Sequence, residues 1–503
     1  MLFFPPKILV RGRTTQSFFF LILLLKNIIP STYSLAFQTS QADDKSINNM
    51  PSLLSAESNS IQSLVSDAKK LYIASNFENN KDIVNDEDLI CTVAPGRVNL
   101  IGEHTDYTGG FVFPMAIDFS IVCVGKGNIS TTESIGKCQV ISANSKDPQV
   151  ITFESSKSMK PLPTTSPNSW TNYVAGVVDR YMQEIEDGNC SISLQLAING
   201  NVPLGSGLSS SAALEVSIAT FIERIFQKEF PKKNFGGATQ KALRCQKAEN
   251  VFCNSPCGIM DQYVSAAAQR DSALLIDCRN LEYQIVKMGG GKSSNRNNQN
   301  DGAKKGTNPV FVICNSNVTH SIGGGEYPVR VAQCSEATKL LQNLIGDEKI
   351  KSLRDAALND IESAKKKRNS QGDVLMDDLI YRRAKHVVTE NERTQKAKSA
   401  LIDGDWVEFG NLMNASHQSM KIDYEVSCEE IDILVELAQS YPGVYGSRLT
   451  GGGFGGCTVT LVDKTDVEGL CHYLKTEYKS RTGKECSCFE SQPGDGAREI
   501  LLT

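Results

Sequence analysis

The chain is poor in the features that mark metal, redox and membrane-spanning proteins. It has five histidines, and no second histidine stands at ligand spacing from His104. Its 15 cysteines include no C-x-x-C pair, which argues against a zinc ribbon or a thioredoxin-type site. The cysteines are odd in number and scattered from Cys91 to Cys488, a pattern of small apolar packing residues in a reducing compartment. Neither charge sign dominates: 52 Lys and Arg against 57 Asp and Glu give a net charge of −5. That argues against nucleic acid as a partner, because phosphate neutralisation wants a basic face. The apolar run Phe18–Leu25 falls short of the about 20 residues that span a bilayer. No internal repeat is visible. What the chain does have is size and apolar content: 503 residues, 40% hydrophobic, enough for two large or about three ordinary domains, and too much for disorder throughout.

The ends and the middle differ in kind. Lys7, Arg11 and Arg13 precede the Phe18–Leu25 run, Ser34-Leu35-Ala36 follows it, and no acidic residue comes before Asp43. Residues 1–36 therefore read as a targeting leader with a cleavage site. With Phe37 after the triplet, the leader resembles those that direct proteins to secondary plastids. No stable membrane anchor is expected once it is removed. Residues 37–66 are rich in Ser, Asn and Asp and read as a polar linker. The stretch 289–307 is Gly, Asn, Lys and Ser without apolar anchors, a disordered insertion between two strands. Ser363–Gly372, with four consecutive cations, reads as a solvated helix end. Tyr381–Ala438 carries helical periodicity.

Four segments concentrate chemistry. Gly200–Glu215 follows an alternating strand pattern and opens a helix, with Gly205, Gly207, Ser209, Ser210 and Ser211 at the junction. Glycines let backbone amides turn toward a ligand, and a helix start favours an anion such as phosphate. A Gly/Ser turn that only caps a helix gives the same pattern, and the Gly-Lys-Ser/Thr ending of a Walker A loop is missing. Ala94–Gly110 crowds Arg97, Glu103, His104 and Asp106 between glycines. Such a loop needs its polar groups met by one another or by a ligand with many hydroxyls. Cys257–Gln262 places one carboxylate, Asp261, among small and apolar residues, suited to taking a hydroxyl proton or to capping a helix. Arg448–Cys457 has five glycines in six residues before a strand-like run, which means close backbone approach or a mobile turn. A dinucleotide fingerprint would instead follow a strand and open a helix.

In chain order, these segments resemble a galactokinase of the GHMP small-molecule kinase superfamily, from about Leu71 to the C-terminus. Gly96–Tyr107 resembles the galactokinase signature, Gly205–Ala213 the superfamily phosphate loop, and the glycines after Thr450 its third motif. Tyr381–Val388 and Asp423–Cys428 resemble C-terminal galactokinase segments. The resemblance implies an α+β, two-lobed fold with the active site in the inter-lobe cleft. The N-terminal lobe would span 67–255 and the C-terminal lobe 256–503. It implies transfer of the γ-phosphoryl of ATP to the anomeric hydroxyl of galactose. Asp261 would be the base, with Arg97 beside it. Arg97, Glu103, His104, Asp106, Asp261 and Tyr327 would hold the sugar. Gly205, Gly207, Ser209, Ser210 and Ser211 would wrap the ATP phosphates, and Ser211 and Glu249 would hold Mg²⁺. The family implies a cytoplasmic monomer or weak oligomer, whereas the leader implies an organelle.

Three other readings compete. An N-acetylgalactosamine kinase would differ in the Glu103–Tyr107 loop, where Thr105 resembles the galactose enzymes. A silent galactose/ATP sensor would lack residues after the serine run, which is complete here. A dinucleotide oxidoreductase rests on the glycines after Arg448 alone.

Overall fold

A computed structural model describes residues 52–53, 57–75, 77, 86–185, 190–288, 308–318, 326–346 and 349–502. The leader and the insertion at 289–307 lie outside the described residues. Residues 51–503 group as one compact unit.

Its largest sheet has seven strands, in the order β1 (Ser52–Leu53), β14 (Arg498–Leu501), β2 (Ile90–Asn99), β4 (Pro114–Ser130), β7 (Ser191–Gly200), β5 (Gly136–Ser142) and β6 (Ile151–Ser155). Alternation along the strands gives the sheet two apolar faces. Ala94, Cys123 and Leu196 face the helices Thr171–Gln183 and Ser210–Glu229, which supply Val177, Tyr181, Val216 and Phe221. Val93, Val122, Val124 and Ala197 face the other way, against Val65, Ala68 and Tyr72 of the helix Asn59–Ala74.

That helix corrects the linker reading of 37–66, because it begins at Asn59. Its composition is polar, but Ile61, Leu64, Val65, Ala68 and Tyr72 form one buried stripe at helical spacing. Without it the second face of the sheet would be bare. Ser58 accepts from Ile61 N as its cap.

The expected division at 255/256 is also corrected. β14, from the last residues, pairs antiparallel with β2. A three-stranded sheet joins β3 (Phe111–Val112) to β8 (Ser272–Asp277) and β9 (Glu282–Lys287). Hydrogen-bonded pairing thus crosses the cut in both sheets. A third sheet, in the order β11 (Val444–Thr450), β12 (Cys457–Asp463), β10 (Pro309–Asn315) and β13 (Ser487–Ser491), belongs wholly to the later chain. Helices Glu429–Ser440 and Val467–Thr482 cover one of its faces through Leu434, Leu437, Leu470 and Leu474.

The expected helical region 381–438 holds the helices Asp378–Asp403, Trp406–Ser419 and Glu429–Ser440. The charge run after Ser363 ends the helix Leu358–Lys366, with Lys366, Lys367 and Arg368 exposed. No helix among the described residues is long and apolar enough to cross a membrane.

Candidate active site

The end of β2, the start of the helix Ser210–Glu229 and the start of the helix Met260–Ala267 meet at one ion pair. Arg97 is 4% exposed at the end of β2. Its Nε and Nη2 donate to the two oxygens of Asp261 at 2.8 and 2.7 Å, a two-pronged geometry that a guanidinium makes and an ammonium does not. Its Nη1 donates to the carbonyl of Gly207 at 2.5 Å. Ser209 completes the triangle, with Oγ 2.5 Å from Asp261 Oδ2. The Arg97 side chain is 5% exposed and that of Asp261 27%, so the cation lies behind and the carboxylate opens outward.

The local chain is built for this. Ser209 is the N-cap of its helix but stands at φ 63°, ψ 47°, and its hydroxyl caps no backbone N–H. A non-glycine residue in the left-handed region costs about 1 kcal/mol or more and gathers at functional sites. Here the strained turn aims the hydroxyl at Asp261. The second glycine-rich turn presses on the first. A side chain at Gly451 would lie 2.9 Å from Gly207 O, and one at Gly456 2.9 Å from Ser206 O; both glycines have positive φ.

The loop after β2 forms the neighbouring wall. Asp106 lies against Gly258, where a Cβ would fall 1.5 Å from Oδ2. Gly258 therefore makes room for the Asp106 carboxylate three residues before Asp261. Burial and the charge of Asp261 push Asp106 up to about 7. His104 has φ 60°, and burial pushes it down to about 3, so the imidazole is neutral. Its Nδ1 lies 3.1 Å from Tyr107 Oη, and its Nε2 has no hydrogen-bond partner among the described residues. Tyr327, in the first turn of the helix Glu326–Ile345, packs its ring 6.0 Å from His104 and 5.1 Å from Tyr107.

Glu103 is placed differently from its neighbours. Its carboxylate accepts from Arg448 Nη2 at 2.8 Å, Asn99 Nδ2 at 2.9 Å and Gly451 N at 3.0 Å. Arg448 is fully buried. The pair joins the signature loop to the Gly451 turn. From the helix Asp378–Asp403, Glu390 accepts from Gly102 N at 2.9 Å and Asn391 Oδ1 from Phe111 N at 2.8 Å. His386 Nε2 donates to the carbonyl of Glu103 at 3.1 Å. The sequence reading gave no role to Arg448, Glu390, His386 or Asn391.

Behind the serines lies a group of buried acceptors. Glu249 receives Gln262 Nε2 at 2.7 Å and the Ser211 hydroxyl, and burial with the charge of Asp261 pushes it up to about 7. Gln262 also donates to Glu215 at 3.1 Å. Glu215 is fully buried, and burial raises its carboxyl well above the usual range. Glu215 Oε1 and Gln262 Oε1 have no partner among the described residues. Hard oxygen donors gathered at one spot, whose protons a cation would displace, suit Mg²⁺. Glu215 had a signal in the sequence, since it stands four residues after Ser211 on the same helix face.

Of the residues singled out from the sequence, Arg97, Gly207, Ser209 and Asp261 meet directly, and Asp106, His104 and Tyr327 form the neighbouring wall. Ser211 and Glu249 share a hydrogen bond, Glu103 is engaged by Arg448, Asn99 and Gly451, and Ser210 opens the helix that follows the Gly205 turn.

Comparison with known proteins gives one direction. Residues 80–126 match the galactokinase galactose-binding signature, residues 172–269 the GHMP kinase N-terminal domain and residues 397–480 the GHMP kinase C-terminal domain. A galactokinase from Bos taurus is 40% identical over 414 residues, covering 82% of this chain and 93% of the bovine protein. One from Enterococcus faecalis is 35% identical, covering 84% of this chain and 97% of that protein. The crystal structure of Lactococcus lactis galactokinase complexed with galactose superposes with TM-score 0.70 at 29% identity, covering 88% of this chain and all of that one.

Proposed function

The chain belongs to the galactokinase family of GHMP kinases, and from that premise we propose that it transfers the γ-phosphoryl of ATP to the C1 hydroxyl of galactose, giving galactose 1-phosphate and ADP. The observation that carries this reading is the Asp261–Arg97–Gly207 chain of contacts. These contacts join Asp261 to the Gly205–Ser211 turn through Arg97, which supports a base and a phosphate grip serving one transferring group.

The steps follow from the residues. An anomeric hydroxyl is a weak nucleophile. Asp261 accepts its proton while the bond from the sugar oxygen to the γ-phosphorus forms and the bond to the β-γ bridging oxygen breaks. Arg97 holds both oxygens of the carboxylate and screens charge on the phosphoryl side. Ser209 orients Asp261 through its hydroxyl, while the backbone of Gly205–Ser211 and the helix start receive phosphate oxygens. Asp106, His104 and Tyr327 line the wall where the sugar hydroxyls bind. Glu103 holds that wall to the Gly451 turn, and lone pairs left on its oxygens serve a sugar hydroxyl. Ser211 and Glu249 would hold Mg²⁺, with Glu215 and Gln262 behind them. Bound there, the cation would neutralise phosphate charge. The rest of the rate comes from alignment in a site walled by buried side chains.

The test is a product assay on the purified chain with galactose and ATP. Galactose 1-phosphate and ADP in equal amounts support the reading. ADP release that does not depend on galactose, or on any hexose, overturns it.

A further inference from the structure

Four cysteines that look scattered in sequence come together in the later chain. Cys314 on β10 is the register partner of Cys488 on β13, and their sulfurs lie 2.7 Å apart. Cys486 stands two residues before Cys488. Side chains of an extended chain alternate, so residues two apart share a face. The Sγ atoms of Cys314, Cys486 and Cys488 all lie within 4.8 Å of one another. Cys471, on the helix Val467–Thr482 that covers this face, shares a hydrogen bond with Cys488. Cys314 and Cys486 are buried; Cys471 and Cys488 are half-buried.

Simple apolar packing does not call for this convergence. A cysteine acting as a small apolar residue needs aliphatic neighbours, not other sulfurs. Here the sulfurs of Cys314, Cys486 and Cys488 gather at one spot, and Cys471 reaches Cys488 from the covering helix.

We propose that Cys314, Cys471, Cys486 and Cys488 form a structural site for a thiolate-seeking cation of the zinc(II) class. Thiolate ligands select soft or borderline metals, and four protein sulfurs leave no open position for chemistry. The site would tie β10, β13 and the covering helix together. The tie lies behind the active site. Two residues beyond Cys314, Ser316 donates through its N–H and its hydroxyl to Gly456 O at 2.9 and 2.8 Å, and Gly456 N donates to Val318 O at 2.9 Å. Gly456 is the glycine that abuts Ser206 of the phosphate loop.

The experiment uses the full chain produced in zinc-supplemented medium, freed of loose metal by gel filtration and analysed for elements. About one zinc per chain is expected, falling about tenfold or more in Cys486→Ser/Cys488→Ser and unchanged in Cys253→Ser. Because the double variant can fail to fold, cobalt(II) is also exchanged into the intact chain. The expected readout is the thiolate-to-cobalt charge-transfer absorption and the intense visible bands of a four-coordinate site. Wild-type chain that carries no zinc and gives no such bands overturns the proposal. Equal zinc in wild type and the double variant does so too. A disulfide joining Cys314 to Cys488, found by peptide mapping of freshly prepared protein, also overturns it.

Discussion

Replacing Gly258 with alanine tests how the sugar wall is joined to the base. The backbone at Gly258 tolerates a side chain, but the added Cβ would fall 1.5 Å from Asp106 Oδ2 and 2.1 Å from its Cγ. Aspartate is short, so its carboxylate leaves its place and the bond from Tyr107 N at 3.0 Å. A hydrogen bond to a charged group is worth about 1.5–3 kcal/mol. At 1.4 kcal/mol per tenfold, the loss of one sugar hydroxyl contact raises KM for galactose about ten- to a hundredfold. The Asp261–Arg97–Gly207 contacts are untouched, so KM for ATP stays within about twofold of wild type. Steady-state kinetics of Gly258→Ala, Asp106→Ala and the double variant decide the matter. Once Asp106 is an alanine the obstacle is gone, and the double variant is no worse than Asp106→Ala alone. An unchanged KM for galactose in Gly258→Ala, or penalties that simply add in the double variant, refutes the reasoning.

Other expected outcomes follow from the same site. Ser209→Gly relieves a left-handed backbone and removes the hydroxyl on Asp261. Thermal unfolding should show stability unchanged or raised by up to about 1 kcal/mol, while kcat falls about tenfold. Asp106, pushed up to about 7 from 3.8, is protonated below that pH in the free enzyme and loses acceptor capacity there. kcat/KM for galactose should fall as pH drops through about 7, and Asp106→Asn should make that limb shallower, leaving the part that belongs to Glu249. The sign for stability is opposite. A carboxyl with a raised pKa binds its proton more tightly in the fold, so its contribution to stability declines as pH rises from about 4 to 7, as pH-dependent denaturation will show. Arg448→Met leaves Glu103 buried without its cation and should cost about 3–5 kcal/mol in denaturant unfolding, with part recovered in Arg448→Met/Glu103→Gln.

The site was legible in the sequence wherever its parts are local. The strand, glycine turn and helix around Gly205–Ser211 lie within about 40 residues, and alternation followed by helical spacing marks them. Arg97, Glu103, His104 and Asp106 declared themselves as polar groups crowded between glycines. Partners far apart in the chain were not legible. Glu103 and Arg448 are 345 residues apart, and nothing in the local pattern around either says that they form one buried pair. The helix Asn59–Ala74 was hidden by its polar surface, although five apolar residues at helical spacing carry its buried face. The lobes looked separable because the resemblance follows chain order. Strand pairing does not, and β14 returns to the first sheet. Cys314 and Cys488 read as unrelated because pairing register is a long-range property.

The central claim is that Asp261 takes the sugar proton and does not hold the sugar by itself. Asp261→Asn keeps the shape and removes the base. Rapid-quench measurement of galactose 1-phosphate, with a calorimetric titration of galactose on the same protein, separates the two roles. The expected result is galactose binding within a few-fold of wild type and product formation slowed about 10²–10⁴-fold. Product formed at near wild-type rate by Asp261→Asn would contradict the account.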